Sequence, residues 1–468
     1  MKKIYSLLIA LVLLFGNISA QAQNEGMALS LLPNQPYNNL YNPGVRVNQK
    51  LVLGLGISNI NVGIYNTSIK YNNLYTQQLG VSALDLNKFI NSLDDHDNYI
   101  GTNFSMDILR VGARFNKLFV DINWRARFNT ELHYSKDFLG FFVNGNGHYM
   151  GTDNPADFSI GVDANLYTEL SVGAQYDIND KLTVGIRPKL LNGIANASVN
   201  DDGTMIYTDP NTYEIIANAD INIKMSSIVE KDIHRISEVT DVFDMDSISI
   251  SELFNFKSNL GFGIDLGASY KISDNIGVAL GVYDLGFIKW TNTREKHNHK
   301  DNVVINDALV DDINGLTNLN LDVKDLYSDL LADVWDNDSL YAGEDYKTSL
   351  KTRVMLQGYY ELMPMARFTA VAQMYYANKK MRPALTLAYS GSFLKIINLT
   401  ANYTFSKYSG NSLGAGINLK LGPVDLYAVT DNFLILTKLN ASTVKMVTSY
   451  RTTNVRLGLI IAIGEKKK

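Results

Sequence analysis

From Phe158 to Ile178 the sequence reads "FSIGVDANLYTELSVGAQYDI", and ten of its eleven even positions are apolar, Thr168 being the exception. The odd positions are mostly Ser, Gly, Asp, Asn, Glu and Gln. Period-two alternation marks a strand with one apolar and one polar face. Ordinary strands run to about 5 to 6 residues, so a strand this long needs apolar surroundings on one side and polar surroundings on the other along its whole length. A tilted strand in a closed transmembrane barrel meets that description: about 9 to 11 residues cross the hydrocarbon, and alternation separates lipid-facing from lumen-facing side chains. On this reading Phe158–Ile178 crosses the bilayer and continues above it as a raised rim. Its even residues face lipid at membrane depth, and Asp163 and Glu169 face inward.

The pattern recurs along the chain. Leu118, Val120, Ile122, Trp124, Ala126 and Phe128 alternate with mostly polar residues, as do Phe262, Ile264, Leu266, Ala268, Tyr270 and Ile272, and again Ile397, Leu399, Ala401, Tyr403 and Phe405. Fourteen such segments are readable: 51–64, 104–115, 118–130, 162–178, 181–195, 260–272, 276–288, 350–360, 368–377, 384–390, 396–406, 412–420, 424–430 and 453–463. Several are joined by short polar turns such as Asn179-Asp180, Ser273-Asp274-Asn275 and Ser409-Gly410-Asn411, which are hairpin signals. Other connections, above all 196–259 and 291–349, are long and rich in Asp and Asn. Short turns at one end and long loops at the other is the asymmetry of an outer-membrane barrel. The predicted fold class is therefore all-β, a closed antiparallel transmembrane barrel of about fourteen strands. A soluble β-sandwich is the alternative, but its strands should be shorter.

Within the long connections, 215–225 alternates like a further strand or a hairpin rising above the membrane. "LDLNKFINSL" and "VKDLYSDLLADVW" instead carry Leu86, Phe89, Ile90, Leu93 and Leu326, Leu330, Val334 at helical spacing, as helices lying over the barrel mouth would. Tyr (27) and Phe (19) supply aromatics for interfacial girdles, for which Trp124 and Trp290 are also candidates.

Lys2 and Lys3, the apolar run Leu7–Phe15 and Ala20-Gln21-Ala22 read as a secretory signal over residues 1–22. Residues 23–50 form a short N-terminal segment suited to a small plug, and 51–468 the barrel. Without Lys2 and Lys3 the basic count falls from 42 to 40 against 47 acidic residues, a net charge of about −7, which argues against a nucleic-acid partner. The chain has no Cys, so no disulfide stabilises it. No internal apolar run reaches the length of a membrane-spanning helix. The mean hydropathy of −0.06 fits a barrel as well as a soluble protein, because lumen residues dilute lipid-facing ones.

Four passages, "YNPG" at Tyr41–Gly44, "KLTVGIRPKLLNGIANA" at Lys181–Ala197, "GFGIDLGASYKISDNIGVALGVYDLGFIKW" at Gly261–Trp290 and "NVRLGLIIAIG" at Asn454–Gly464, resemble a family of uncharacterised outer-membrane barrels from Bacteroidota, of unknown function. That family sits beside the FadL-like transporters and PorV-type barrels. The resemblance implies fourteen strands and an N-terminal plug, and a role in binding or passing hydrophobic or amphipathic small molecules. Two features depart from the pattern: only about 28 residues, Gln23–Lys50, precede the first strand, and Ile463 stands where many such barrels place a terminal aromatic residue.

Alternation assigns Arg110, Arg114, Arg125, Arg127, Arg187 and Lys189 to the lumen, with Asp121, Asp163, Glu169 and Asp265 on the same face. Two chemistries follow. A cationic wall would bind a carboxylate or phosphate headgroup through planar Arg forks; a ladder of ion pairs would instead fill the lumen. "GFGIDLG" has the wrong spacing for a dinucleotide loop, and its glycines share one strand face where they make room for other groups. His297 and His299 in "KHNHKD" lack a third metal ligand placed by spacing, and "DDHDN" and "NDDG" follow no calcium-loop pattern, so they read as turns and no metal is expected. Of the six histidines, His96, His133, His148, His234, His297 and His299, all but His133 fall in apparent loops, and none accompanies a nucleophile motif. The expectation is a non-enzymatic barrel without a cofactor. Its partners are membrane lipid and either a small amphipathic ligand or, as a surface scaffold, secretion or envelope proteins.

Overall fold

The computed structural model describes residues 26–56, 58–67, 71–78, 81–96, 98–201, 203–228, 243, 256–305, 339–377, 380–394, 396–406, 411–433 and 452–465. The signal segment, the helical pattern around Leu326 and His234 lie outside them. Fourteen antiparallel strands close into a barrel. The first, β1, is in two pieces, Gln49–Leu55 and Ile60–Asn66. It is followed by β2 (Asn98–Phe115), β3 (Leu118–Tyr134), β4 (Ile160–Asp177), β5 (Leu182–Asp201), β6 (Leu260–Lys271) and β7 (Ile276–Trp290). The second half comprises β8 (Thr352–Met363), β9 (Ala366–Ala377), β10 (Lys380–Phe393), β11 (Ile397–Ser406), β12 (Ser412–Leu421), β13 (Val424–Thr430) and β14 (Thr452–Glu465). Each strand pairs with its sequence neighbours, and β14 pairs with both pieces of β1 to close the ring. Every one of the fourteen expected segments is a barrel strand. Closure removes the sheet edges, the liability of any open sheet in an apolar medium.

At one end of the barrel every connection is short. Asn116 (φ 54°) and Gly422 (φ 65°) take left-handed conformations there, which Asn and Gly adopt at little cost. The outward faces carry a belt of exposed apolar residues that includes Ile122, Val172, Phe262, Leu280, Leu356, Leu387, Leu399 and Leu457. Inward faces on β10 to β12 are mostly polar, with Thr386 Oγ1 2.8 Å from Thr404 Oγ1 and Asn398 donating to Asn418 at 2.6 Å.

Phe158–Ile178 divides in two. Val172, Tyr176 and Ile178 are exposed on the outward face, as expected of lipid-facing positions, but Phe158, Ile160, Ala164 and Leu166 on that same face are buried. A second layer covers them. Helix α3 (Lys136–Asn144), capped by the Ser135 hydroxyl accepting from Phe138 N at 3.1 Å, packs Phe138, Phe141 and Phe142 around Phe158 at ring separations of 5.0, 5.4 and 5.8 Å. Helix α2 (Leu86–Asn91), the predicted loop helix, adds Phe89 and Ile90 to the same cluster. Its cap, Asp85, accepts from Lys88 N at 2.9 Å, and that bond holds the Asp85 carboxyl below its usual range. The alternating segment near 215–225 is a strand, Ile215–Ser227, which pairs with the rim half of β5 on one side and with the strand Thr293–Ile305 on the other.

Two expectations need correction. His297 and His299 lie in the strand Thr293–Ile305, where polar and charged residues occupy both faces and leave no apolar alternation to read; His297 Nε2 sits 2.7 Å from Asp220 Oδ1. Trp290 is not at an interface: it is fully buried on the inward face with Tyr167, Leu191, Ile288 and Leu350, its Nε1 donating to Thr348 Oγ1 at 2.8 Å. A shift of register between Ile264 and Leu266 in the β6–β7 pairing reverses the parity of β7, so even residues that begin outward end inward.

An arginine at Leu387, 48% exposed in the belt, should lower stability in a bilayer by about 2–4 kcal/mol. Urea titration in liposomes measures this; an unchanged midpoint would contradict a lipid-facing belt.

Candidate functional site

The lumen is occupied by the chain's own N-terminal segment. Residues 26–48 begin with a five-residue helix, α1 (Met27–Leu31), and Met27, Ala28, Leu29, Leu32, Tyr37, Leu40, Tyr41 and Val47 are buried against Val52, Phe119, Tyr283, Met355, Val371, Val429 and Ile460 of the wall. α1 has no side-chain cap of its own. Asp431, just past β13, accepts from Ala28 N at 2.7 Å and Gly26 N at 3.1 Å, supplying the acceptors the helix start lacks.

The resemblance passages converge on this segment. In "YNPG", Asn42 Oδ1 accepts from Gly44 N at 2.9 Å, forming a tight turn. That turn lies directly on the wall. A Cβ on Gly185 would overlap the Pro43 carbonyl, and one on Gly267 would overlap Asn42 Oδ1. Gly185 and Gly267 are thus small because another backbone passes at contact distance. Gln175 donates to Pro43 O at 2.8 Å and accepts from Val47 N at 2.9 Å, Ser269 donates to Gly44 O at 2.6 Å, and Arg114 Nε donates to Val47 O at 2.9 Å.

Above this contact stands the charged wall. Asp121 lies between Arg110 (3.1 Å) and Arg187 (2.8 Å), all three essentially without solvent exposure. Gly173, an odd position of Phe158–Ile178, leaves the space the Asp121–Arg187 pair occupies. Arg125 pairs with Asp107 at 2.6 Å; Arg127 with Glu169 at 3.2 Å and Asp284 at 3.0 Å; and Lys189 with Asp265 at 2.8 Å, Asp284 at 2.6 Å and Glu169 at 3.6 Å. Five cations thus meet five carboxylates. Arg114 reaches down to Asp177 at 3.1 Å, which also holds Arg46 of the plug at 2.9 Å. Arg110 donates to Asn39 Oδ1 at 2.6 Å and lies over the Tyr37 ring, so the wall also grips the plug.

All ten residues singled out from sequence are on the inward side, and nine join this network. Asp163 stands apart, nearer the rim, accepting from Ser198 at 3.2 Å. The geometry is that of an ion-pair ladder: each of these cations has its carboxylate. Sequence reasoning missed Asp107 and Asp284 because both sit at β-bulges. The β2–β3 register shifts between Asp107 and Leu109, so Asp107 and Arg110, of opposite parity, both point inward. Asp284 has φ 50° and its backbone N–H donates to Asp265 at 2.8 Å. The findable signal was the change in alternation from Phe104 and Met106 to Leu109 and Val111.

A second feature is the break in β1. Facing β2, the register runs Leu55 to Leu109 and resumes at Ile60 with Met106, with Gly56 N donating to Ile108 O and Asp107 N to Asn59 O, both at 3.0 Å. Facing β14, the register runs Leu53 to Ile461 and then resumes at Ile60 with Leu457. Ser58 and Asn59 are buried, and Tyr427 Oη donates to Ser58 O and Asn59 Oδ1 at 3.0 Å each. Gly458 of the fourth passage makes this possible, since a Cβ there would overlap Ser58 O. Outside the seam lies an apolar groove of ≈ 430 Å³, lined by Ile60, Ile417, Leu419, Leu426, Ala428, Leu457 and Leu459 over a floor of Tyr427 and Gly458. Inside, Tyr427 packs against Tyr37 of the plug with ring centroids 5.6 Å apart.

Removing Asp121 with Ala should destabilise the barrel by about 3–5 kcal/mol, because two buried guanidiniums lose their counter-ion. Gly267→Val should instead release the plug with little loss of barrel stability. Urea unfolding and protease cleavage near residue 40 distinguish the two; a protected plug in Gly267→Val would contradict the docking geometry.

Residues 43–431 match a family described as "Family of unknown function (DUF5723)". No curated protein matches the chain. Similar solved structures include a Pseudomonas aeruginosa FadL homologue (10% identity, covering 93% of this chain and 96% of that one, TM-score 0.47). Others are the Ralstonia pickettii toluene transporter TbuX (10%, 92% and 94%, 0.42) and the Pseudomonas putida toluene transporter TodX (8%, 95% and 94%, 0.37).

Proposed function

The chain belongs to this family of unknown function, DUF5723, and we propose that it is an outer-membrane barrel that passes hydrophobic or amphipathic small molecules between its lumen and the surrounding lipid. The observation that carries the reading is the interrupted closing seam. At one place the wall gives up strand pairing, an apolar groove lies outside it, and the plug touches its inner side through Tyr37 and Tyr427. A break of this kind costs backbone hydrogen bonds in an apolar medium. Here one freed carbonyl, Ser58 O, is held by Tyr427, which ties the break to the plug. Movement of the plug would therefore be felt at the seam. A continuous polar pore is disfavoured, because the plug and the charge ladder fill the axis.

The reading places the belt in the outer membrane and the short turns and plug entrance on the periplasmic side. It assigns the barrel no catalytic step. A surface scaffold is the second reading, favoured by the aromatic-cored layer that buries the rim half of β4.

Mass spectrometry of the protein purified in mild detergent should find a hydrophobic compound bound to the wild type. Ala428→Trp, which fills the groove, should deplete it while leaving compact, heat-modifiable gel mobility intact. An equal load in both proteins would contradict the seam route. Stoichiometric co-purification of an envelope protein with no small molecule would favour the scaffold.

A further inference from the structure

A further cationic cluster lies outside the balanced ladder. Near the loop end of the lumen, Glu131 of β3 accepts from Tyr65 Oη at 2.5 Å and pairs with Lys351 at 2.9 Å, His133 Nε2 at 2.9 Å and, more distantly, Arg382 at 3.5 Å. Lys351 directly precedes β8 and Arg382 lies near the start of β10, so these contacts reach across the barrel from β3. Two permanent cations therefore share one ion-pair partner, with the Asp163 carboxylate close enough to interact with Lys351 and His133. The shorter contacts of Glu131 go to Tyr65, Lys351 and His133, and Arg382 is the most distant of the four.

Arg382 is the poorly served member. Its side chain is 1% exposed, yet Nε, Nη1 and Nη2 have no hydrogen-bond acceptor among the described residues. Its Cζ lies over the Tyr99 ring, 4.3 Å from the centroid, a cation–π contact that leaves the N–H donors to be matched. A buried guanidinium without acceptors is costly, and a planar oxyanion is the group that fits its fork. Lys351 and His133 keep 23% and 29% of their side chains exposed, so the cluster is within reach of solvent.

We propose that Arg382 and Lys351 form a binding site for an oxyanion, a carboxylate or a phosphate, at the loop end of the lumen, with Glu131 as the resident counter-ion that the incoming anion displaces. Displacement would also release the contact between β3 and the β8–β10 side of the barrel. The site does not depend on the seam route, because water-soluble anions test it directly.

The test is calorimetric titration of the full-length protein in detergent with inorganic phosphate and, separately, with butyrate. At least one anion should bind the wild type, and the two arms decide which oxyanion is preferred. Arg382→Gln should weaken that binding by about tenfold or more, the worth of a charge-assisted hydrogen bond. Glu131→Gln should strengthen it, because the internal competitor loses its charge. Lys289→Gln, at an exposed pair with Asp345, should leave it unchanged. If Arg382→Gln lacks compact gel mobility, Lys351→Gln is read in its place with the same expectation. Failure of both anions to bind the wild type, equal affinity in the Arg382 or Lys351 variant, or weaker binding by Glu131→Gln would each overturn the proposal.

Discussion

Asp121, held between Arg110 and Arg187 with none of the three side chains in solvent, is the interaction on which the interior depends. Charges enclosed by a low-dielectric wall are costly unless each has a partner at short range. That requirement explains the five-to-five match of the ladder and the two β-bulges that turn Asp107 and Asp284 inward to complete it. It also explains why the wall can hold a plug. Arg110 and Arg114 are fixed by carboxylates and spend their remaining donors on Asn39 and on the Val47 carbonyl. The glycines at 185 and 267 let the "YNPG" turn come close enough for Gln175 and Ser269 to bond it.

Ladder, plug and seam form one chain of contacts. Arg110 reaches Tyr37, Tyr37 stacks near Tyr427, and Tyr427 bonds the two residues at which β1 leaves the sheet. Asp431 caps the plug helix from the end of β13, and Asn454 of β14 donates to that carboxylate at 2.6 Å. The plug is thus bonded to strands on both sides of the barrel. The part of the wall it contacts through Tyr37 is the part with incomplete pairing.

Much of this was legible in the sequence, for a physical reason. Alternation is a direct record of two-sided surroundings, so all fourteen strands could be located and ten lumen residues assigned. The record fails where the surroundings on the two sides stop differing, or where the backbone changes step. At the rim half of Phe158–Ile178 an apolar layer replaces lipid, and the sequence pattern is the same for either. At Trp290 a bulge in β6–β7 reverses inside and outside, so a residue that seemed to mark an interface is a core residue. The glycines of the four passages stood out as a group, but their purpose depends on what lies opposite. Only the folded position of residues 42–44 shows why Gly185 and Gly267 must be small.

The central claim is that the N-terminal segment closes the lumen and is held there by the charged wall. Single-channel recording in planar bilayers compares the wild type with a variant lacking residues 26–48. The account predicts no steady ionic current through the wild type and a steady current through the deletion variant. A steady current of equal size through both proteins would contradict it.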